Sequence, residues 1–454
     1  MRPDGLHCSV NEPRLTYRLL ARVADRLLPL ARPCSAKFAH GDRERRAAAE
    51  RWATWGREHR DPSRPLLWIH APSVGEGLQA LSVIEVVKTR HPDWQIAATF
   101  FSPSAESLAR RHPADRIDYL PYDTCDNAAI MLAALRPSAL VFTKLDLWPG
   151  YATHAAAAGV PVGMVAGTVS PVSGRRHPVA RWLGEAGYQA LDQVGAIAEA
   201  DSQALVGLGV RPDRVSVTGD PRFDSVWARA VAIPPDWPFR RLTSGATTLV
   251  AGSTWPADEA ILLEAFARVR LMRPDIRMVL VPHEPHEHSV AALEAEAALL
   301  GLDPVRLSRL GAEVPELVIG DQVGLLAGLY DGAAQSYVGG GFGRHGLHSV
   351  LEPAATGVPV FFGPRWQSSR EAGLLIEADA AIAVTNADAL TAAWLDTLAG
   401  DRGRAMGERA RGLVRSGLGA AGRNAALIED LIGGSDRGIF PSPRSQPSRT
   451  PDFT

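Results

Sequence analysis

The chain is poor in cysteine, has no long apolar run and is almost neutral. Its three cysteines, Cys8, Cys34 and Cys125, lie far apart in 454 residues and form no CxxC pair. That excludes a disulfide framework and a cysteine-built metal site, and it suits a reducing, cytoplasmic compartment. With 48 basic and 50 acidic residues the formal net charge is −2, which argues against a nucleic-acid binder that neutralises phosphates over its whole surface. Several catalytic signatures are also missing. The glycine-rich turns match neither the P-loop nor GxGxxG, the histidine cluster lacks HExxH spacing, and no Ser/His/Asp nucleophile pattern stands out. Group transfer by general-base catalysis is the chemistry that remains.

What is present is enough for sizeable cores. Hydrophobic residues make up 46% of the chain, and this length predicts two domains of roughly 200 residues each. In residues 14–32, Leu15, Leu19, Leu20, Val23, Leu27 and Leu30 fall at near-helical spacing, while Arg14, Arg18, Arg22 and Arg26 recur every four residues on another face. An arginine in every turn rules out a membrane-spanning helix or a signal-peptide core. A basic amphipathic helix of this kind either lies on an anionic membrane surface or docks on its own domain.

From Leu66 onward apolar strand signals alternate with helical stretches. Leu66–Ile69, Ile96–Phe101, Leu120–Tyr122, Ala139–Phe142 and Val160–Ala166 read as strands, followed by short candidates at Gly195–Ala198 and Val215–Thr218. Prolines near 228–243 break the pattern and mark a linker. A second series follows with strands at Thr247–Ala251, Arg277–Val281, Glu316–Ile319, Ser336–Val338 and Pro359–Phe361. The predicted fold class is therefore α/β, two Rossmann-like domains facing a cleft at the carboxyl ends of their sheets, with an N-terminal amphipathic helix. The expected boundaries are 1–35 for the basic membrane-associating segment, 36–230 and 244–432 for the two domains, and 433–454 for a Pro/Ser/Arg-rich disordered tail.

Four places could carry chemistry. Glu76 follows a strand and opens a helix, where its carboxylate either accepts a proton from an attacking hydroxyl or merely favours the helix dipole. The positive helix end lowers its pKa, and burial would oppose that. Asp146, just past the strand ending at Phe142, is a second acidic candidate or a turn residue, with Lys144 beside it. In VAGSTWPADE, Gly252 and Ser253 offer amides and a hydroxyl to a phosphate at a helix start, where Ser253 or Thr254 can equally serve as a cap. From Tyr337 to Val360 a strand runs into Gly339, Gly340 and Gly341 and then a helix-like segment. Glycines there let a ligand approach the backbone, or simply punctuate the turn. The cluster His283, Glu284, His286, Glu287, His288 is interrupted by Pro285 and reads as a polar loop, not a metal centre.

Together these motifs resemble the 3-deoxy-D-manno-octulosonic acid (Kdo) transferases. The resemblance rests on the order of HAPSVGEG at 70–77, YLPYD at 119–123, KLDLWP at 144–149, VTGDPRFD at 217–224, AGSTWPADE at 251–259 and VGGGFGRHGLHSVLEPAATGVPVFFGP at 338–364. It implies a GT-B fold, CMP-Kdo as donor, a lipid A precursor as acceptor, inversion without a required metal or cofactor, and attachment to the cytoplasmic face of the inner membrane through its anionic surface. No nucleic-acid partner is expected, on the net charge of −2. By the same resemblance Glu76 is the general base, Asp146 holds the place of a family glutamate needed for activity, Gly252, Ser253, Gly339, Gly340, Gly341 and His348 form the nucleotide-sugar shell, and Glu352 resembles a ribose-binding acid. The chain departs from the family's common pattern at Lys144, Asp146, Ala166, Thr168, His283, Glu284 and Ser349. A transferase or epimerase acting on another nucleotide sugar, and a non-catalytic membrane-associated protein, are the alternative readings.

Overall fold

The computed structural model describes residues 13–109, 112–170, 173–243 and 247–435. The chain forms two compact units. One holds the described residues up to Arg222 and those from Gly419 onward, and the other runs Phe223–Leu418.

The first unit is built on β1 (Leu66–His70), β2 (Gln95–Phe100), β3 (Arg116–Tyr119), β4 (Ala139–Thr143), β5 (Val162–Gly167), β6 (Gln193–Ala196) and β7 (Val215–Val217). These strands make a parallel sheet in the order β3-β2-β1-β4-β5-β6-β7. Every residue of β1, β2, β4 and β5 is buried, as befits parallel strands covered by helices on both faces. That is why they read as continuous apolar runs and show no alternation. In the second unit β8 (Thr247–Thr254), β9 (Ile276–Pro282), β10 (Pro304–Arg306), β11 (Leu317–Ile319), β12 (Gln335–Val338), β13 (Val360–Phe362) and β14 (Ala381–Ala383) follow the order β10-β11-β9-β8-β12-β13-β14. The strand order reverses between β1 and β4 in one sheet and between β8 and β12 in the other. At such a switch point successive helices leave on opposite faces, opening a crevice beyond the carboxyl ends of the strands.

Several boundaries differ from the sequence expectation. The strand expected at Leu120–Tyr122 is β3, a few residues earlier. Its Asp118 pairs with both Arg116 of the same strand and Arg51, so it lacks the apolar signature that locates the others. Strand β10 was not expected. It carries Arg306, held by Glu287 at 2.7 Å and Glu294 at 2.6 Å. The expected linker begins inside a helix, Pro221–Val231, whose Phe223 and Val226 pack into the second unit's core with Val350, Leu351 and Val414. The boundary between units therefore falls at Arg222 and Phe223, ahead of residues 228–243.

The end of the expected 244–432 domain belongs to the first unit. Helix Ala420–Ser435 buries Ala425, Ile428 and Leu431 against Leu67, Ile69 and Val165. Asn424 ties it down from within: its Oδ1 accepts from Thr218 Oγ1 at 3.0 Å, and its Nδ2 donates to Ala420 O at 2.8 Å. The helix extends through the first residues of the expected tail, and 436–454 lie outside the described residues, as do 1–12 of the expected 1–35 segment.

Helix Leu15–Leu27 has features that bear on both readings of the basic segment. Its polar residues dock: Tyr17 Oη donates to Asp123 Oδ2 at 2.5 Å, Arg14 bonds Glu185 at 2.8 Å, and Arg46 reaches Asp25 at 2.9 Å. Its apolar row does not. Leu15, Leu19, Leu20, Val23 and Leu27 are each at least half exposed. Val179 and Trp182 of helix Pro178–Gln189 are also exposed, and Arg14 stacks over the Trp182 ring at 4.5 Å. No helix among the described residues is long and apolar enough to cross a membrane.

Candidate active site

At the carboxyl edge of the first sheet, β1 and β4 are neighbours, and the chain leaving each brings an acid to the switch point. After β1, three residues lead into helix Val74–Arg90, whose only first-turn acid is Glu76. Ser73 Oγ donates to one carboxylate oxygen of Glu76, and Lys144 Nζ lies 3.0 Å from the other. Lys144 sits just past β4 with φ 65°, a left-handed backbone that costs a non-glycine residue about 1 kcal/mol or more. Its amide bonds Val165 O at 2.8 Å, so the neighbouring strand fixes this turn. Burial pushes the Glu76 carboxyl up, but the Ser73 hydroxyl and the Lys144 ammonium outweigh it and hold the group below the usual range. The expected opposition of burial and charge thus ends in favour of the ionised form.

Asp146 is engaged on both oxygens. Arg175 reaches Oδ1 at 3.0 Å, and Oδ2 accepts from Trp148 Nε1 at 3.1 Å and meets His70 Nε2 at 3.4 Å. His70 is fully buried at the end of β1, its Nδ1 3.0 Å from Thr99 Oγ1. Burial raises the Asp146 pKa and its contacts with His70, Arg175 and Trp148 bring it below the ordinary value. With three partners on its two oxygens, Asp146 is suited to fixing Arg175 and the sheet edge, whereas Glu76 has one partner on each oxygen, Ser73 and Lys144.

In the second unit the equivalent switch point lies between β8 and β12. Here Ser253 is an extra residue in β8, with φ 55°, between the pairs Gly252↔Val281 and Thr254↔Pro282. The glycine turn after β12 packs against it. A Cβ on Gly339 would lie 2.2 Å from Ser253 O, and Gly340 combines φ 97° with backbone 2.0 Å from where its Cβ would stand. Two amides of the turn are already used: Gly339 N donates to Gly252 O at 2.9 Å and Gly340 N to Asp258 Oδ2 at 2.9 Å. The run of glycines therefore serves close packing of backbone as much as anion binding.

Gly252, Ser253, Gly339, Gly340, Gly341 and His348 come together at this edge, with the His348 amide bonded to Gly339 O at 3.1 Å. Glu352 follows on helix Leu351–Thr356 and pairs with Arg229 at 2.9 Å. Glu76 and Asp146 belong to the other unit.

Several residues of these edges were not singled out from the sequence. Ser73, His70, Trp148 and Arg175 surround the two acids. In the second unit Trp255 stacks on His345 with centroids 3.7 Å apart, and His283 stacks on His348 at 4.2 Å. Asp258 accepts from Tyr337 Oη at 2.8 Å as well as from Gly340. The neighbouring Glu259 is only 6% exposed. Ser73 and Trp148 stood inside recognised motifs, but the pairing of Arg175 with Asp146 spans 29 residues with no periodic signal.

Two parallel-sheet units with switch-point crevices define the α/β fold of the GT-B glycosyltransferases. The structure resembles UDP-GlcNAc 2-epimerase from Neisseria meningitidis (TM-score 0.58, 11% identity, 82% of this chain and 100% of that one) and a glycosyltransferase from Rickettsia africae (TM-score 0.53, 14% identity, 81% and 98%). Residues 43–225 match the family model for 3-deoxy-D-manno-octulosonic-acid transferase (kdotransferase). Relatives described as 3-deoxy-D-manno-octulosonic acid transferases include those of Bordetella pertussis, 28% identical over 86% of this chain and 95% of that one, and Haemophilus influenzae, 23% identical over 71% and 75%. The chain is thus similar to 3-deoxy-D-manno-octulosonic acid transferases, over residues 43–225 by the family model and over most of its length by these relatives, and it is a glycosyltransferase.

Glu259 gives a pH test of the second unit's edge. Burial, with Glu296 and Asp258 adding, pushes its carboxyl up to about 7, against the opposing hydrogen bond from Thr254 Oγ1 at 2.9 Å. A carboxyl raised on folding favours the native state while protonated and destabilises it as pH rises from its unfolded value, near 4.5, through about 7. Glu259→Gln should therefore raise the melting temperature at pH 8, by the equivalent of up to about 3 kcal/mol. It should change little at pH 4.5. A shift equal at both pH values would show that Glu259 is not the titrating group.

Proposed function

We propose that this protein transfers Kdo from CMP-Kdo to a hydroxyl of a lipid A precursor in lipopolysaccharide synthesis, with inversion at the anomeric carbon and Glu76 as general base. The observation that carries the reading is the state of Glu76: an ionised carboxylate at the β1 switch point, held by Ser73 and Lys144. In the reaction the acceptor oxygen bonds to the anomeric carbon of Kdo as its bond to the CMP phosphate breaks, and the acceptor proton passes to Glu76. Lys144 and Arg175, each about two-fifths exposed, can receive anionic groups of the substrates while Asp146 keeps Arg175 in place. The second unit binds the donor through Gly252, Ser253, Gly339, Gly340, Gly341, His348 and Glu352. Similarity to proteins described as Kdo transferases supports the donor assignment.

We place the protein on the cytoplasmic face of the inner membrane as a peripheral or monotopic enzyme. The exposed aliphatic row of helix Leu15–Leu27 beside Val179 and Trp182 supports this, since each aliphatic side chain moved out of water gains about 1.5–3 kcal/mol. Docking by the polar residues leaves that row available.

Purified protein supplied with CMP-Kdo and a lipid A precursor is expected to form a product heavier by one or more Kdo units, with a donor panel showing preference for CMP-Kdo. Preference for a UDP-sugar would instead indicate another transferase or an epimerase, and CMP binding without turnover on any acceptor a non-catalytic protein. For the membrane claim, Leu19→Glu combined with Val23→Glu should weaken co-sedimentation with anionic vesicles by about 100-fold or more. Binding that survives the double substitution would remove this helix from the membrane surface.

A further inference from the structure

The ring cluster at the carboxyl edge of the second sheet contains a hydrogen bond whose direction chemistry fixes. Trp255 Nε1 can only donate, and it lies 2.9 Å from His348 Nε2. That nitrogen must present its lone pair, so the proton of a neutral His348 ring sits on Nδ1. In free solution the opposite form, protonated at Nε2, predominates. Trp255 is itself well held. Its backbone amide bonds Asp258 at 3.1 Å, it directly precedes helix Pro256–Met272, and His345 covers its ring with planes 5° apart. On the other side His283 stacks on His348 with planes 23° apart. The His348 backbone amide is fastened to the glycine turn, and among the described residues no protein group accepts from its Nδ1.

We propose that Trp255 is a positioning residue for ligand binding: it locks His348 as the Nδ1–H tautomer, so that the ring offers one uncharged, directed donor to an anionic oxygen of a ligand beside the glycine turn. The ligand half of this statement rests on the reading of the second unit as the donor-binding unit. The residue acts through His348 and need not touch the ligand.

The surroundings keep the ring neutral as well as oriented. Burial, then the nearby His283 and His345, hold His348 down to about 4, with Asp258 on helix Pro256–Met272 pulling the other way. Protonation would place a second N–H against the Trp255 N–H, so charging the ring requires breaking the lock. A donor fixed in this way serves its ligand equally from about pH 5.5 to 8, a range in which a histidine of ordinary pKa near 6.5 changes charge.

The test is nitrogen NMR of protein labelled in its histidines, together with titration by CMP, on the wild type and on Trp255→Phe, which keeps an aromatic ring and loses the N–H. The wild type should show a protonated Nδ1 and a lone-pair Nε2 on His348 between pH 5.5 and 8. Trp255→Phe should shift the ring towards the Nε2–H form, raise its pKa and weaken CMP binding at pH 8 by about fivefold, the worth of one hydrogen bond. A wild-type His348 protonated at Nε2 overturns the lock, and this readout needs no variant to fold. The same tautomer in Trp255→Phe overturns it too. A changed tautomer with unchanged CMP affinity overturns the ligand half. CMP that binds neither protein overturns that half together with the donor-unit reading, and leaves the tautomer measurement to decide the lock.

Discussion

Both units depend on one constraint of parallel sheets: where the strand order reverses, two adjacent strands send their chains to opposite faces and leave a crevice between them. In the first unit β1 and β4 stand at that point, in the second β8 and β12. Every candidate residue taken from the sequence except Glu352 leaves one of these strands within a few positions or lies in the turn that follows. The backbone bears the same mark. Lys144, Ala166 and Ser253 all adopt left-handed φ values, of 65°, 53° and 55°, at or just beyond strand ends, and non-glycine residues hold such conformations where the surrounding structure imposes them.

The two edges treat charge differently. In the first unit, acids and bases are matched one to one: Glu76 with Lys144, Asp146 with Arg175. Against burial, Ser73 and Lys144 hold the Glu76 carboxyl below the usual range, and His70, Arg175 and Trp148 do the same for Asp146. The edge of the second unit is built from aromatic and imidazole rings over a glycine turn whose amides are partly spent on Asp258 and Gly252. An edge of that kind suits a flat, polar ligand better than it suits proton transfer, which is the division of labour assigned to the two units.

Much of this was legible in the sequence because a buried parallel strand leaves a dense apolar run and a glycine turn leaves an unmistakable trace. Glu76, Asp146 and the Gly339–Gly341 run were found by that route. The signal failed where polar residues occupy strands, as with Asp118 in β3 and Arg306 in β10, which find partners distant in sequence in Arg51 and Glu287. It failed again at the C-terminal helix, since an apolar face does not say which unit it will cover. The ring cluster was half visible. His283 and His348 were noted separately, but stacking joins residues 65 positions apart and leaves no local pattern. Ala166 and Thr168, departures from the family pattern, turn out to serve the first unit's own packing: the Ala166 amide points to Asn424 Oδ1 and the Thr168 hydroxyl bonds Asp201 at 2.9 Å.

The division of labour is tested most directly by measuring two quantities on one variant, Glu76→Gln: the affinity for CMP and the rate of Kdo transfer from CMP-Kdo. Loss of a positioned base costs about 100-fold or more in rate. Glu76 belongs to the first unit and the proposed donor residues to the second, so transfer should fall by that factor with CMP affinity unchanged. Undiminished transfer by Glu76→Gln would contradict it.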